Sequence, residues 1–203
     1  MLHNKKIEVL EQFLGDFRRE AYGRELLGKV RMSQKAIALA LDSLEKEGVL
    51  KSRTQGHIRY FSLNLENTEI KDIILLAETS KKLGFLSKHR KLAHLFREDD
   101  RTVGVFGSYA KGTEKDGSDI DVFIVGRKKE EDYDKKGKLL DLDVSVKYFS
   151  EAGWRGLLRR KDNLCREIVE KHILLYGTET FISTVWKCYY GLGEVVPRTK
   201  GRA

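Results

Sequence analysis

Two acidic residues and a glycine–serine pair carry the chemistry most legible in this chain of 203 residues. Asp119-Ile120-Asp121 heads an apolar run, Ile120–Val125, that alternates like a strand. Side chains at i and i+2 of a strand point the same way, so Asp119 and Asp121 share a face while Ile120, Val122 and Ile124 occupy the opposite, buried one. Two adjacent carboxylates repel unless a cation lies between them. Hard oxygen ligands suit Mg²⁺, or Mn²⁺ in its place. Gly107-Ser108 is separated from Asp119 by ten residues and comes directly after a short apolar strand, Thr102–Phe106. A small residue there lets backbone N–H groups approach a phosphate at a helix start. The Ser108 hydroxyl adds a hydrogen bond, and Lys111 adds a positive charge within the same Gly107–Gly112 segment. Cradle and acids together fit a metal-bound nucleotide open to in-line attack at the α-phosphate.

The surrounding pattern supplies elements to hold these residues. Apolar positions at helical spacing, Ile7, Leu10, Phe13, Leu14 and Phe17, predict a helix over 5–17. Arg24–Val30 reads as a short second helix. Ser33 reads as the N-cap of a third, whose stripe is Ile37, Ala40, Leu41 and Leu44 and whose end is Gly48. Two strands, Val49–Thr54 and His57–Leu63, flank a Gln55-Gly56 turn. Residues 68–97 are helical again, with a break expected at Lys81-Lys82-Leu83-Gly84. Leu140–Phe149 reads as a third strand of the second half, 154–172 as helix, and Ile173–Tyr176 as a last strand. The charge-dense stretch 127–132 reads as a solvated loop, and the basic tail 197–203 as frayed.

Gly-Ser, ten residues, Asp-x-Asp resembles the signature of the polymerase-beta nucleotidyltransferase superfamily. The fuller Gly107-Ser108-Tyr109-Ala110-Lys111-Gly112-Thr113 with Ser118-Asp119-Ile120-Asp121-Val122 is similar to its minimal branch, over roughly residues 88–178. The resemblance implies a short mixed sheet flanked by helices, an NTP and Mg²⁺, and pyrophosphate release. It implies Gly107 and Ser108 as the phosphate pair and Asp119 and Asp121 as the metal pair. Many members add a third carboxylate on a later strand. In Leu140-Asp141-Leu142-Asp143-Val144-Ser145, the acids Asp141 and Asp143 and the hydroxyl Ser145 share a face, and Asp143 is favoured. A two-residue shift of register would instead put Ser145 at the acidic position and weaken or abolish catalysis. Arg155, Arg159, Arg160 and Lys161 are further cations that could reach phosphates. Acceptors in the superfamily include small molecules, RNA ends and protein side chains. Some minimal members are antitoxins that modify a partner toxin, so a protein acceptor or toxin partner is an expectation of the resemblance alone.

Residues 5–65 resemble the winged helix-turn-helix of many prokaryotic regulators: three helices, then a hairpin. Such modules place the third helix in the major groove of DNA and the wing against the backbone. Gln34 and Lys35 are the candidates for base contact, and Lys51, Arg53, His57 and Arg59 for phosphate contact. Residues 1–65 hold 12 Lys/Arg against 8 Asp/Glu. Ala38 and Leu39, however, stand where polar groups usually face DNA, which favours a protein contact or weak specificity.

The expected class is therefore α+β, with a winged helix-turn-helix over 1–66, a linker helix over 67–87, a small mixed-sheet domain over 88–180 and an extension over 181–203. The rival expectation is a DNA-binding regulator or antitoxin-like protein whose second domain senses nucleotide or is inactive, with a homodimer compatible with either. Bulk composition agrees with both. Thirty-nine Lys/Arg against 31 Asp/Glu give a formal charge of +8, which favours polyanionic partners. Two cysteines make neither a disulfide framework nor a zinc cluster. No apolar signal core or long apolar span is evident, so a cytoplasmic location without membrane partners is expected.

Overall fold

The computed structural model describes residues 5–97, 99–127, 129 and 133–193. Val9 and Leu10 bury one face of α1 (Lys5–Glu11). The expected helix over 5–17 stops there: residues 12–15 form turns, although Phe13, Leu14 and Phe17 are still buried. The expected second helix is also absent as an α-helix. Instead β1 (Ala21–Tyr22) leads into a 3₁₀ turn (Gly23–Leu26), and Leu27 and Val30 form an isolated bridge. Only Leu26 of the turn is buried, so there is no two-turn apolar stripe to support a full helix. α2 (Gln34–Lys46) starts where expected, with the Ser33 hydroxyl accepting from the Ala36 amide. It buries Ile37, Ala40, Leu41 and Leu44. β2 (Leu50–Gln55) and β3 (Ile58–Leu63) form an antiparallel hairpin, and β1 pairs with β3 to complete a three-stranded sheet in the order β1-β3-β2.

α3 (Ile70–Lys88) runs unbroken through Gly84, contrary to the expected break at 81–84. Phe85 is buried one residue further on, and this anchor carries the helix past its glycine to His89, after which α4 (Arg90–Leu95) begins. The second sheet comprises β4 (Thr102–Val105), β5 (Ile120–Val125), β6 (Val144–Phe149) and β7 (Ile173–Tyr176), in the order β6-β5-β4-β7. β4 is antiparallel to β5 and β7, while β5 and β6 are parallel, so the sheet is mixed. α5 (Gly107–Lys111) links β4 to the loop before β5, and α6 (Tyr133–Lys138) precedes β6. α7 (Glu151–Arg160), α8 (Asn163–Glu170) and α9 (Thr178–Cys188) cover one face.

Alternation along β5 sorts its residues between two cores. Ile120, Val122 and Ile124 join Phe85, Leu92, Leu95, Phe96 and Tyr133 on one side. Phe123 and Val125 join Trp154, Ile168 and Phe181 on the other. That second core continues into the first half of the chain through Leu14, Phe17, Ile74 and Ala77. Most of the 127–132 stretch and all of the 197–203 tail lie outside the described residues. Among the described residues no helix is long and apolar enough to cross a membrane.

Candidate active site

Asp121 sits at the second position of β5, where the helical cover on its face has not yet closed and the residue is half-buried. Its backbone carbonyl accepts from the Phe106 amide at 2.9 Å, which pins the end of β4 against it. Gly107 follows, with φ +67°, in the left-handed region that favours glycine. A Cβ on Gly107 would lie 2.3 Å from Asp121 Oδ2. The acid and the glycine–serine bend are therefore in direct contact. Asp119, one step before the strand, is exposed and near enough for its charge to act on Asp121. The loop between them is closed by Tyr109, whose hydroxyl donates to the Ser118 carbonyl. Ser118 Oγ in turn accepts from the Lys115 amide.

Burial pushes the Asp121 carboxyl above its ordinary value. The Asp119 charge adds most to this and Glu167 adds further, while Lys147 and Lys111 pull it down. A carboxylate pair under that tension attracts a divalent cation. The residues fit Mg²⁺, which is commonly bound by one or two carboxylates together with substrate phosphates. Among the described residues no group of three or more His, Cys, Asp or Glu side chains could hold a metal ion, so the protein alone supplies a partial coordination shell. Gly107, Ser108 and Lys111 all lie on α5, and Lys111 Nζ donates to Glu167 Oε1 at 2.7 Å.

The third-acid region differs from expectation. β6 begins at Val144 rather than at 140, because Asp141 takes φ +56° within a turn closed by Gly137. The Asp141 carboxylate is bonded to Lys91 of α4, on the other side of the sheet from Asp121, so Asp141 does not share a face with Asp143 and Ser145. The parallel register pairs Ile120 with Val144 and Asp121 with Ser145. Ser145 thus stands beside Asp121. Asp143 lies before the strand, exposed, with its carbonyl accepting from the Ile120 amide at 2.8 Å, level with Asp119.

Several other cations expected near the phosphates are placed elsewhere. Arg155 is paired with Glu151 and lines a cleft of about 490 Å³ with Val125 and Gly126, at the far end of β5. Lys161 lies over the Tyr189 ring. Arg159 and Arg160 are exposed on the last turn of α7. Glu167 and Lys147 were not singled out from the sequence. Glu167 is one of two acids on an amphipathic helix, and only tertiary packing brings it to Lys111, 56 residues away.

In the first half, Gln34 and Lys35 are exposed on the opening turn of α2, and Lys51 and His57 are exposed on the hairpin. Arg53 forms a double contact with Glu20 and stacks over Tyr60. Arg59 bridges to Asp42 and Glu45 of α2 and lies over Phe61. Both hairpin arginines are thus already engaged with carboxylates of their own unit. Leu39 is 62% exposed on the outer face of α2.

Comparison with known proteins agrees with the geometry of the second half. Residues 86–175 match the family model described as "Nucleotidyltransferase domain". The match spans the end of α3 through β7 and includes Gly107, Ser108, Asp119 and Asp121. Among solved structures the chain is similar to one described as "Crystal structure of the toxin-antitoxin with AMP-PNP", with 21% identity, a TM-score of 0.37, and coverage of 50% of this chain and 84% of that chain. No curated protein matches the chain.

Proposed function

We propose that the protein is a metal-dependent nucleotidyltransferase that moves a nucleoside monophosphate from an NTP, ATP being the favoured donor, to a hydroxyl acceptor. The observation that carries this reading is the contact between Gly107 and Asp121 within the matched domain. In the reaction the acceptor hydroxyl oxygen attacks the α-phosphorus, the bond from that phosphorus to the bridging oxygen breaks, and pyrophosphate leaves with the electron pair. Mg²⁺ or Mn²⁺, when bound, neutralises charge that develops on the phosphate oxygens. Asp119 and Asp121 hold the cation. The backbone and hydroxyl of Gly107-Ser108 orient the phosphates, and Lys111 offsets their charge. Asp143, level with Asp119, is the strand's own candidate to receive the hydroxyl proton. The test is incubation of the full chain with labelled NTPs, Mg²⁺ and cell extract, comparing wild type with Asp119→Asn/Asp121→Asn. Label transfer by the wild type alone supports the enzyme.

The N-terminal order α1, β1, 3₁₀ turn, α2, β2, β3, with β1 on β3, supports a winged helix. We assign Gln34, Lys35, Lys51 and His57 to DNA contact, and Arg53 and Arg59 to bracing the wing, releasable to phosphate. With two to four phosphate contacts, log K against log salt should slope between about −2 and −4. A slope near zero by fluorescence anisotropy would remove DNA from the reading and leave the Leu39 face for a protein, such as an acceptor or toxin, or for a second copy of the chain.

A second reading, a regulator whose nucleotidyltransferase domain senses nucleotide without transfer, draws on the position of Ser145. That serine occupies the strand position beside Asp121 where an acid would be expected. Nucleotide binding without label transfer to any acceptor would favour it.

A further inference from the structure

β5, β6 and β7 run parallel to one another, and β4 runs against them. Asp121 and Gly107 sit at the end of the sheet where those three strands begin. The cleft of about 490 Å³ lies at the end where they finish, beside Val125, which is about 13 Å along β5 from Asp121. Its floor is apolar: Trp154 of α7 and Phe181 of α9 are buried there, with ring centroids 6.0 Å apart. Four cations and two acids line it. Arg101 is engaged by Asp99 and Lys129 by Asp100. Arg127 is exposed and, among the described residues, its guanidinium meets no carboxylate. Arg155 is held by Glu151 one turn back on its own helix, with side chains 48% and 69% exposed, and pairs of that kind contribute little. The first turn of α9 adds Thr180, and the N-cap of that helix, Gly177, has no side chain to satisfy its leading amides.

Arginines brought from two separate elements to one cleft repel each other unless an anion joins them. A guanidinium offers paired donors that match a phosphate group. A largely apolar cavity of this size with a few polar groups at its rim takes a small organic ligand. We propose that the cleft is a second ligand site, for a small phosphate-bearing molecule. Arg127 and Arg155 clasp the phosphate, the Thr180 hydroxyl donates to it, and the floor of Trp154 and Phe181 meets the apolar remainder. Phosphate takes the place of Glu151 on Arg155, and no covalent bond changes. The site shares no residue with Gly107, Ser108, Asp119 or Asp121, so it stands whether or not the protein transfers nucleotide. A nucleotide and free pyrophosphate both carry the group that the arginines recognise.

The test is amide NMR titration of the ¹⁵N-labelled full chain with AMP and, separately, with inorganic pyrophosphate. EDTA is present throughout, and chloride at matched ionic strength is the baseline. Saturable shifts are expected at the amides of Gly126, Arg127, Gly177 and Thr180. Arg127→Ala/Arg155→Ala should weaken binding at those amides by about tenfold or more, the scale of one charge-assisted hydrogen bond. Thr180→Val, which keeps both arginines, should weaken it severalfold. Arg159→Ala/Arg160→Ala, on the last turn of α7 outside the cleft, should change it by less than about twofold. Tighter binding of AMP than of pyrophosphate supports the site and makes a nucleotide its ligand, and the reverse order supports it with the inorganic ion. Shifts confined to Gly107 and Ser108 overturn the second site while leaving the nucleotidyltransferase reading intact. An equal loss with both double variants overturns it as well, since general charge then accounts for binding. So does the absence of any shift at millimolar probe. Thermal unfolding of each variant confirms that it is folded.

Discussion

At the scale of the residue, the site works against the stability of the fold that carries it. Asp121 is pushed above its ordinary carboxyl value by burial, by Asp119 and by Glu167. A group raised in this way favours the fold in its protonated form, and that contribution is lost as pH rises through its folded value. At neutral pH the ionised side chain is therefore a net cost to the metal-free protein. Asp121→Asn is expected to melt about 1–4 °C above wild type in EDTA at pH 7, a small shift because the group is partly solvated. The gain should shrink as pH falls toward 3.8, and Mg²⁺ with nucleotide should raise the wild-type melting temperature but not the variant's. Gly107→Ala is expected to remove nucleotide binding, since its Cβ would collide with Asp121 Oδ2 and the backbone is left-handed there. Calorimetric titration with the ATP analogue checks it. Cys165 is buried and its thiol is pushed up to about 12, so it should resist thiol reagents in the folded protein, as mass spectrometry after alkylation would show.

At the scale of the element, α3 is joined to the second half through His172, which lies between α8 and β7. Glu78 of α3 is fully buried, accepts from His172 Nε2 and meets Lys81. The other ring nitrogen of His172 faces the carbonyls of Ile168 and Val169, so both nitrogens have partners. Burial raises the Glu78 carboxyl, but Lys81 and His172 together outweigh it and hold the group below its ordinary 4.5. A depressed carboxyl stabilises the fold above its unfolded value, and that contribution is lost as pH falls below 4.5. Glu78→Gln should destabilise the protein by about 3 kcal/mol at pH 7, because Lys81 and His172 lose their buried carboxylate partner. The deficit should narrow in denaturant melts taken progressively below pH 4.5. An equal deficit at all pH values would mean that the pair acts through packing alone.

At the scale of the whole molecule, the two halves share one core rather than sitting as beads on a linker. Phe17 stacks on Tyr190 with ring centroids 4.9 Å apart, touches Trp186, and donates its amide to the Tyr190 hydroxyl. Arg18 donates to the Tyr190 carbonyl, and a Cβ on Gly15 would lie 2.2 Å from the Glu170 carbonyl oxygen. One cooperative unfolding transition is therefore expected for the chain by scanning calorimetry. Phe17→Ala should cost about 3–5 kcal/mol and lower stability of both halves together. Two separate transitions, with only the first displaced by the substitution, would contradict a shared core.

The sequence by itself determined what neighbours within a few residues decide. Ser33 capped α2 as read, β5 kept the bounds Ile120–Val125, and Asp121 came out on the face opposite Ile120 and Val122. These follow from helical and strand periods and from local turn chemistry, which act over a few residues. The short second helix does not form because its local pattern is weak, and the strand over 140–143 does not form because a turn overrides a clear alternation. A 3₁₀ turn satisfies the one buried leucine, and Asp141 turns left-handed where alternation alone predicts extension. Only tertiary structure decided the rest. The parallel register put Ser145 beside Asp121, Glu167 met Lys111 across 56 residues, Arg53 and Arg59 found acids of their own unit, and Glu78 found His172 across 94. Contacts at such separations depend on how whole elements pack, and no local period of apolar and polar residues encodes which two distant side chains that packing will bring face to face.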